Sequence, residues 1–273
     1  MKKTLIAALL SLSLLGTANA NTKSCHIVIG WPPGGAADRT ARLIEKYNPD
    51  YQVTYKPGGN GVIALNFTSK QPEHIYLAGA DVFDSEQTEL YKILTAPSNI
   101  VLTGKSSTTI ENLFTGKINI GFGQHAGPQY VIARQIAKAN PNGNLVSTGS
   151  DAKALLLLLS GDLDVYVANV ISAGPWLDQH KELKNVLTLE YDKPFVKDKI
   201  KIESLGFTAL LIHKNATETQ RQNVVGCIEK ALKEPGLTEE LKAWNANPVM
   251  LGGKEKDILI KRYIDLKIRL DIK

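Results

Sequence analysis

The residues best placed for chemistry lie in Gly30-Trp31-Pro32-Pro33-Gly34-Gly35-Ala36-Ala37-Asp38. They stand between an apolar run, His26-Ile27-Val28-Ile29, and a stretch that aligns Ala37, Ala41, Ile44 and Tyr47 on one helical stripe. Prolines restrict φ, and glycines permit a sharp turn or a close backbone approach. A helix starting there aims its free N–H groups and the positive end of its dipole into the turn. That chemistry is anion binding. A bare strand-to-helix turn explains the same residues equally well. The design recurs at Gly123-Gln124-His125-Ala126-Gly127 and at Thr148-Gly149-Ser150-Asp151, each after an apolar run and before a helical stretch. Within these turns Trp31 reads as a pocket wall or a core aromatic. Asp38 reads as a first-turn carboxylate favoured by the dipole, or as a ligand contact. Ser150 and Asp151 read as ligand contacts or as a helix N-cap.

Other chemistries find no support. His26, His74, His125, His180 and His213 never pair at i, i+3 or i+4, so no local metal pattern exists and no cofactor is expected. There is no G-x-S-x-G elbow, no H-E-x-x-H and no G-x-G-x-x-G fingerprint. Gly104-Lys105-Ser106 invites a phosphate-loop reading, which fails because its first glycine would fall on Asn99. Only His125 sits in a candidate ligand loop.

The positioning elements follow from periodicity. Strands at 26–29, 51–55 and 75–79 alternate with helices at 36–47 and 62–69, the pattern of a parallel sheet covered on both faces. Pro57-Gly58-Gly59-Asn60-Gly61 reads as turn geometry. A helix is expected over 86–94 and a strand over 99–103. A second βα block runs over about 104–207, with strands at 117–122, 145–147 and 164–168, the last ending at Asn169. Five consecutive leucines at 155–159 suggest a helix buried on more than one side. A strand at 207–213 returns to the first lobe, and Thr217 with Gln220 forms a capping box for the helix after it. The expected domains are 21–103 with 208–273 as one lobe and 104–207 as the other, hinged near Thr103-Gly104 and Phe207-Thr208.

The first twenty of the 273 residues read as a signal peptide: Lys2-Lys3, an apolar stretch at 5–15, then Ala18-Asn19-Ala20 as a cleavage site. This places the mature protein in the periplasm. Removing Lys2 and Lys3 takes the formal charge from +5 to +3. That balance, with no basic stripe, argues against a nucleic-acid partner. Cys25 and Cys227 suffice for one disulfide in an exported protein, the alternative being two buried thiols.

The opening stretch, from Ile27 to Asp38 and on to Ala41-Arg42, resembles the first motif of the Bug/TctC family. These are the periplasmic solute receptors of tripartite tricarboxylate transporters. Tyr55-Lys56-Pro57-Gly58-Gly59-Asn60-Gly61-Val62-Ile63-Ala64 resembles the family's Pro-Gly-x-x-Gly-x-Ile-Ala motif. Thr148-Gly149-Ser150-Asp151-Ala152, Ser160-Gly161-Asp162-Leu163-Asp164 and Leu205-Gly206-Phe207 resemble later motifs in order. The resemblance covers essentially the mature chain. It implies an α/β, type II periplasmic binding protein fold, two βα lobes with a ligand cleft between them. It also implies carboxylate contacts from Trp31, Pro32, Pro33, Gly34 and Gly35, from Gly123, Gln124, His125 and Gly127, from Thr148, Gly149, Ser150 and Asp151, and from Asn169. Trp31 stands where the family has Phe, Gly123–Gly127 replaces a Ser-Gly-x-Gly-Thr/Ser turn, and Ala168-Asn169 replaces an Asp.

The expected function is a monomeric extracytoplasmic receptor that captures a small organic anion, a carboxylate, and delivers it to transporter membrane subunits without catalysis. A ligand sensor docking on a signalling partner is the first alternative. A periplasmic enzyme with Asp151 or His125 as base is the second.

Overall fold

A computed structural model describes residues 25–80, 82, 86–125 and 127–272. The signal-peptide expectation lies outside these residues. The chain starts with β1 (Cys25–Ile29), α1 (Ala36–Tyr47), β2 (Tyr51–Tyr55), α2 (Val62–Lys70), β3 (Ile75–Gly79) and β4 (Thr88–Thr95). It continues with β5 (Asn99–Thr103), α3 (Ile110–Thr115), β6 (Ile118–Phe122), α4 (Pro128–Ala139), β7 (Gly143–Ser147), α5 (Asp151–Ser160), β8 (Val165–Asn169) and α6 (Val170–Gln179). After β9 (Lys184–Leu189) and a hairpin of β10 (Phe195–Lys197) and β11 (Ile200–Ile202), it closes with β12 (Thr208–His213), α7 (Glu218–Leu232), α8 (Pro235–Ala243), β13 (Pro248–Leu251) and α9 (Gly253–Arg269).

Two mixed sheets organise two lobes. The first runs β13-β4-β12-β3-β1-β2, and the second runs β7-β6-β8-β5-β9. β1 pairs parallel with β2 and β3, and β6 pairs parallel with β7 and β8. Ile27, Val28 and Ile29 are completely buried, because helices cover both faces of the sheet. α1, α7 and α8 pack on one face of the first sheet; α2 and α9 pack on the other. α3 and α4 cover one face of the second sheet, and α5 and α6 the other. This is the two-lobed periplasmic binding protein fold.

Cys25 and Cys227 form a disulfide that ties β1 to α7, with Cα atoms 5.9 Å apart and a separation of 202 positions in the chain. Closing so long a loop contributes roughly 3–5 kcal/mol in the chain-entropy account.

The structure corrects several expectations. Residues 88–95 form strand β4, not part of a helix, paired antiparallel with β12 and β13. Thr88 and Leu90 are buried around an exposed Glu89, and a register shift opposite Leu210/Leu211 then breaks the two-residue period. That irregularity made the segment look helical. β5 belongs to the second sheet, antiparallel to β8 and β9, so the chain crosses before residue 99 and not at Thr103-Gly104. The return crossing precedes β12. The leucine run is buried on one side only: Ala154 and Leu158 face the core while Leu156 is 67% exposed. Helix α6 and strands β9, β10, β11 and β13 were not anticipated.

Candidate functional site

β1 ends at Ile29, and the chain turns through Gly30. A β-carbon there would lie 2.5 Å from the Tyr76 hydroxyl and 2.9 Å from Gly61 Cα, so only glycine fits. The turn carries Trp31 against Tyr76, with ring centroids 6.4 Å apart. Asp38 holds the turn together. It accepts the Gly34 N–H at 2.8 Å and the Tyr55 hydroxyl, and Arg42 Nε lies 3.5 Å away. α1 then begins at Gly35 without a side-chain cap. Its first-turn N–H groups therefore lack intrahelical partners.

Three further helices start at strand ends of the second lobe. α4 follows Gly127, also with no side-chain cap, and has Pro128 in its first turn. α5 is capped by Ser150, which accepts the Lys153 N–H. α6 is capped by Asn169, whose Oδ1 accepts the Ile171 N–H at 2.8 Å. Four helix N-termini from two lobes thus surround one cavity of about 150 Å³.

Of the predicted site residues, Trp31, Pro32, Pro33, Gly35, Gly123, Gln124, Gly127, Gly149, Ser150, Asp151 and Asn169 line that cavity. Gly34, His125 and Thr148 are not among its described lining residues. Gly34 sits at φ +94° and supplies the N–H to Asp38. His125 is exposed and packs against Phe122 and Tyr130. Thr148 is buried, and its hydroxyl donates to the Phe122 carbonyl at 3.0 Å, which ties the end of β6 to the turn after β7. These residues shape the turns.

Asp151 is enclosed by protein except where it faces the cavity. Its Oδ1 accepts the Tyr166 hydroxyl at 2.5 Å. Burial pushes its carboxyl above the usual carboxylate range, against the opposing effect of hydrogen bonds from Tyr166 and Ser172. Tyr166 is raised well above an ordinary phenol, by burial first and by the neighbouring Asp151 second.

Sequence reasoning missed Asn99, Gln129, Gly206, Phe207 and Thr208, which are among the other lining residues. Asn99 heads β5, is 1% exposed, and donates to Ser204 Oγ at 2.9 Å. A polar residue opening an apolar strand was the available signal. The Oδ1 of Asn99 and the Oε1 of Gln124 are buried without a hydrogen-bond partner among the described residues. Such atoms are uncommon and call for an explanation. No Lys, Arg or His appears among the described lining residues. The polar groups offered to a ligand at these helix starts are thus backbone N–H groups and helix dipoles rather than cationic side chains.

The lobes also touch beside the cavity. Arg39 of α1 donates to the Ile171 carbonyl of α6 and lies 4.6 Å over the Trp244 ring. Gly206, just before β12, packs on Pro128; a β-carbon there would come within 2.6 Å of the proline.

No family model and no curated protein matches the sequence. Solved structures do share its fold. An R. palustris protein solved with adipate superposes with a TM-score of 0.76 at 13% identity, over 91% of this chain and 97% of that one. The periplasmic binding protein BugD gives 0.74 at 13% identity, over 91% and 98%. MatC from Rhodopseudomonas palustris, with bound malate, gives 0.70 at 13% identity, over 89% and 98%. No helix among the described residues is long and apolar enough to cross a membrane.

Proposed function

We propose that the protein is an exported solute receptor of the Bug/TctC type. It holds a small organic anion, a carboxylate, in the cleft and passes it to the membrane subunits of a tripartite tricarboxylate transporter. The observation that carries this reading is the convergence of four helix N-termini, from α1 on one lobe and α4, α5 and α6 on the other, on one small cavity. Free N–H groups and dipoles suit a carboxylate, and a site split between lobes suits capture by closure. Solved relatives of the same fold were obtained with malate and with adipate, which supports the ligand class. The receptor acts as a periplasmic monomer and needs no cofactor. On this reading it binds without catalysis, and the engagement of Ser150 Oγ as a helix cap supports a binding role for that turn.

The test is native mass spectrometry of the purified mature protein, then a thermal-shift screen against carboxylates with one, two and three acid groups. A co-purified or stabilising carboxylate is expected. Failure of every carboxylate, with stabilisation by neutral or cationic solutes instead, overturns the reading.

A further inference from the structure

We infer that the ligand is an α-amino acid, its carboxylate at the N-terminus of α1 and its ammonium on Asp151. The inference rests on the cleft being a carboxylate site and names the subclass.

The charge pattern of the lining carries it. Two acids, Asp38 and Asp151, face the cavity, and no base is among the described lining residues. Asp38 is compensated by Gly34, Tyr55 and Arg42. Asp151 has neutral donors only, the hydroxyls of Tyr166 and Ser172. An enclosed carboxylate without a counter-ion is costly, and a cationic ligand group removes that cost. A dianion would instead set a second negative charge against Asp151 across a poorly solvated gap.

The orphaned atoms point the same way. Asn99 Oδ1 and Gln124 Oε1 are buried, partnerless acceptors on residues of the same cavity. The lining thus offers two unpartnered acceptors besides the Asp151 carboxylate, and an ammonium brings three donors. Geometry then sets the spacing. A β-carbon at Gly35 would lie 3.4 Å from Asp151 Oδ2, so the acid sits directly beside the uncapped start of α1. Adjacent anion and cation sites match a carboxylate and an amine on one carbon.

The experiment titrates the mature protein by calorimetry with matched pairs: L-aspartate against succinate, L-glutamate against glutarate, L-alanine against propionate. The amine-bearing member of at least one pair binds tighter by about tenfold or more, equivalent to about 1.4 kcal/mol. Asp151→Asn, checked for folding by circular dichroism, abolishes that margin. Proton exchange, read in two buffers of different ionisation enthalpy, gives an independent readout if the variant does not fold. An ammonium facing Asp151 disfavours its protonated form, so amino-acid binding releases protons once the titration pH is lowered into the range where the free carboxyl is part-protonated. Tyr166 and Ser172, which also face this carboxyl, stay protonated and contribute no exchange. Carboxylates that bind without amine preference, or that bind with proton uptake, overturn this inference and leave the receptor reading standing. If no carboxylate binds, with or without an amine, the receptor reading itself falls.

Discussion

Gly35 and Asp151 meet across the cleft: a β-carbon on the glycine would stand 3.4 Å from the carboxylate Oδ2 of the acid. One residue caps the first helix of one lobe, and the other opens a helix of the opposite lobe. The space between them is therefore defined by both sheets at once. Gly35 has φ −86° and ψ −178°, a conformation any residue adopts. Gly35→Val should fold with a melting temperature within a few degrees of the parent, roughly 1 kcal/mol. Its methyl groups would fill the mouth of α1, and carboxylate affinity should fall by about tenfold or more, 1.4 kcal/mol. Unchanged binding by calorimetry would remove the α1 N-terminus from the site.

Asp151 gives a pH signature in the ligand-free protein. Its folded-state pKa lies above the unfolded value, because burial disfavours the charge. The folded state is thus relatively favoured below the unfolded pKa, near 4, and loses that advantage as pH rises through the raised folded value. Asp151→Asn keeps an acceptor for Tyr166 and removes the charge. Its melting temperature without ligand should exceed the parent's at pH 7, and the gain should vanish below about pH 4. A lower melting temperature at pH 7 would show that the charge is stabilised by groups other than those named.

The disulfide has a direct test. Unreduced protein should show no free thiol, since Cys25 and Cys227 are bonded. The double replacement Cys25→Ala, Cys227→Ala should cost about 2–5 kcal/mol in denaturant unfolding. A cost under about 1 kcal/mol would mean that the packing of β1 against α7 alone holds these elements together.

Two glycines with similar backbone angles should respond differently. Gly61 has φ +89°, and a β-carbon there would lie 2.5 Å from the Tyr76 hydroxyl and 2.8 Å from Val82 Cγ2. Gly34 has φ +94° with nothing within 4 Å. Gly34→Ala should cost only the backbone term, about 1 kcal/mol, whereas Gly61→Ala adds overpacking for a total above about 2 kcal/mol. Equal costs in urea unfolding would be evidence against the close contact with Tyr76.

Much of this architecture is legible in the residues. β1, α1 and the turn between them follow from an apolar run, a proline-glycine junction and a 3.6-residue stripe, all of which act locally. The capping box at Thr217 and Gln220 is equally local and is present. β4 was hidden because its period is broken by a register shift whose cause is its partner β12, more than a hundred residues away in the chain. β5 was placed in the wrong lobe for a related reason: a fully buried strand carries no mark of which sheet it joins.

The candidate site divides in the same way. The sequence by itself determined that three glycine-containing turns end strands and start helices, because φ freedom, fixed φ and unpaired N–H groups are properties of the residues themselves. Only the tertiary structure decided that these turns face one cavity, that the Thr148 hydroxyl ties to the Phe122 carbonyl and His125 packs on Tyr130, and that Asn99 joins the cavity from a strand of the second sheet. It also decided that Asp151 stands there without a cationic partner. Burial and charge compensation depend on what the fold brings alongside a residue, and no local pattern in the chain encodes that.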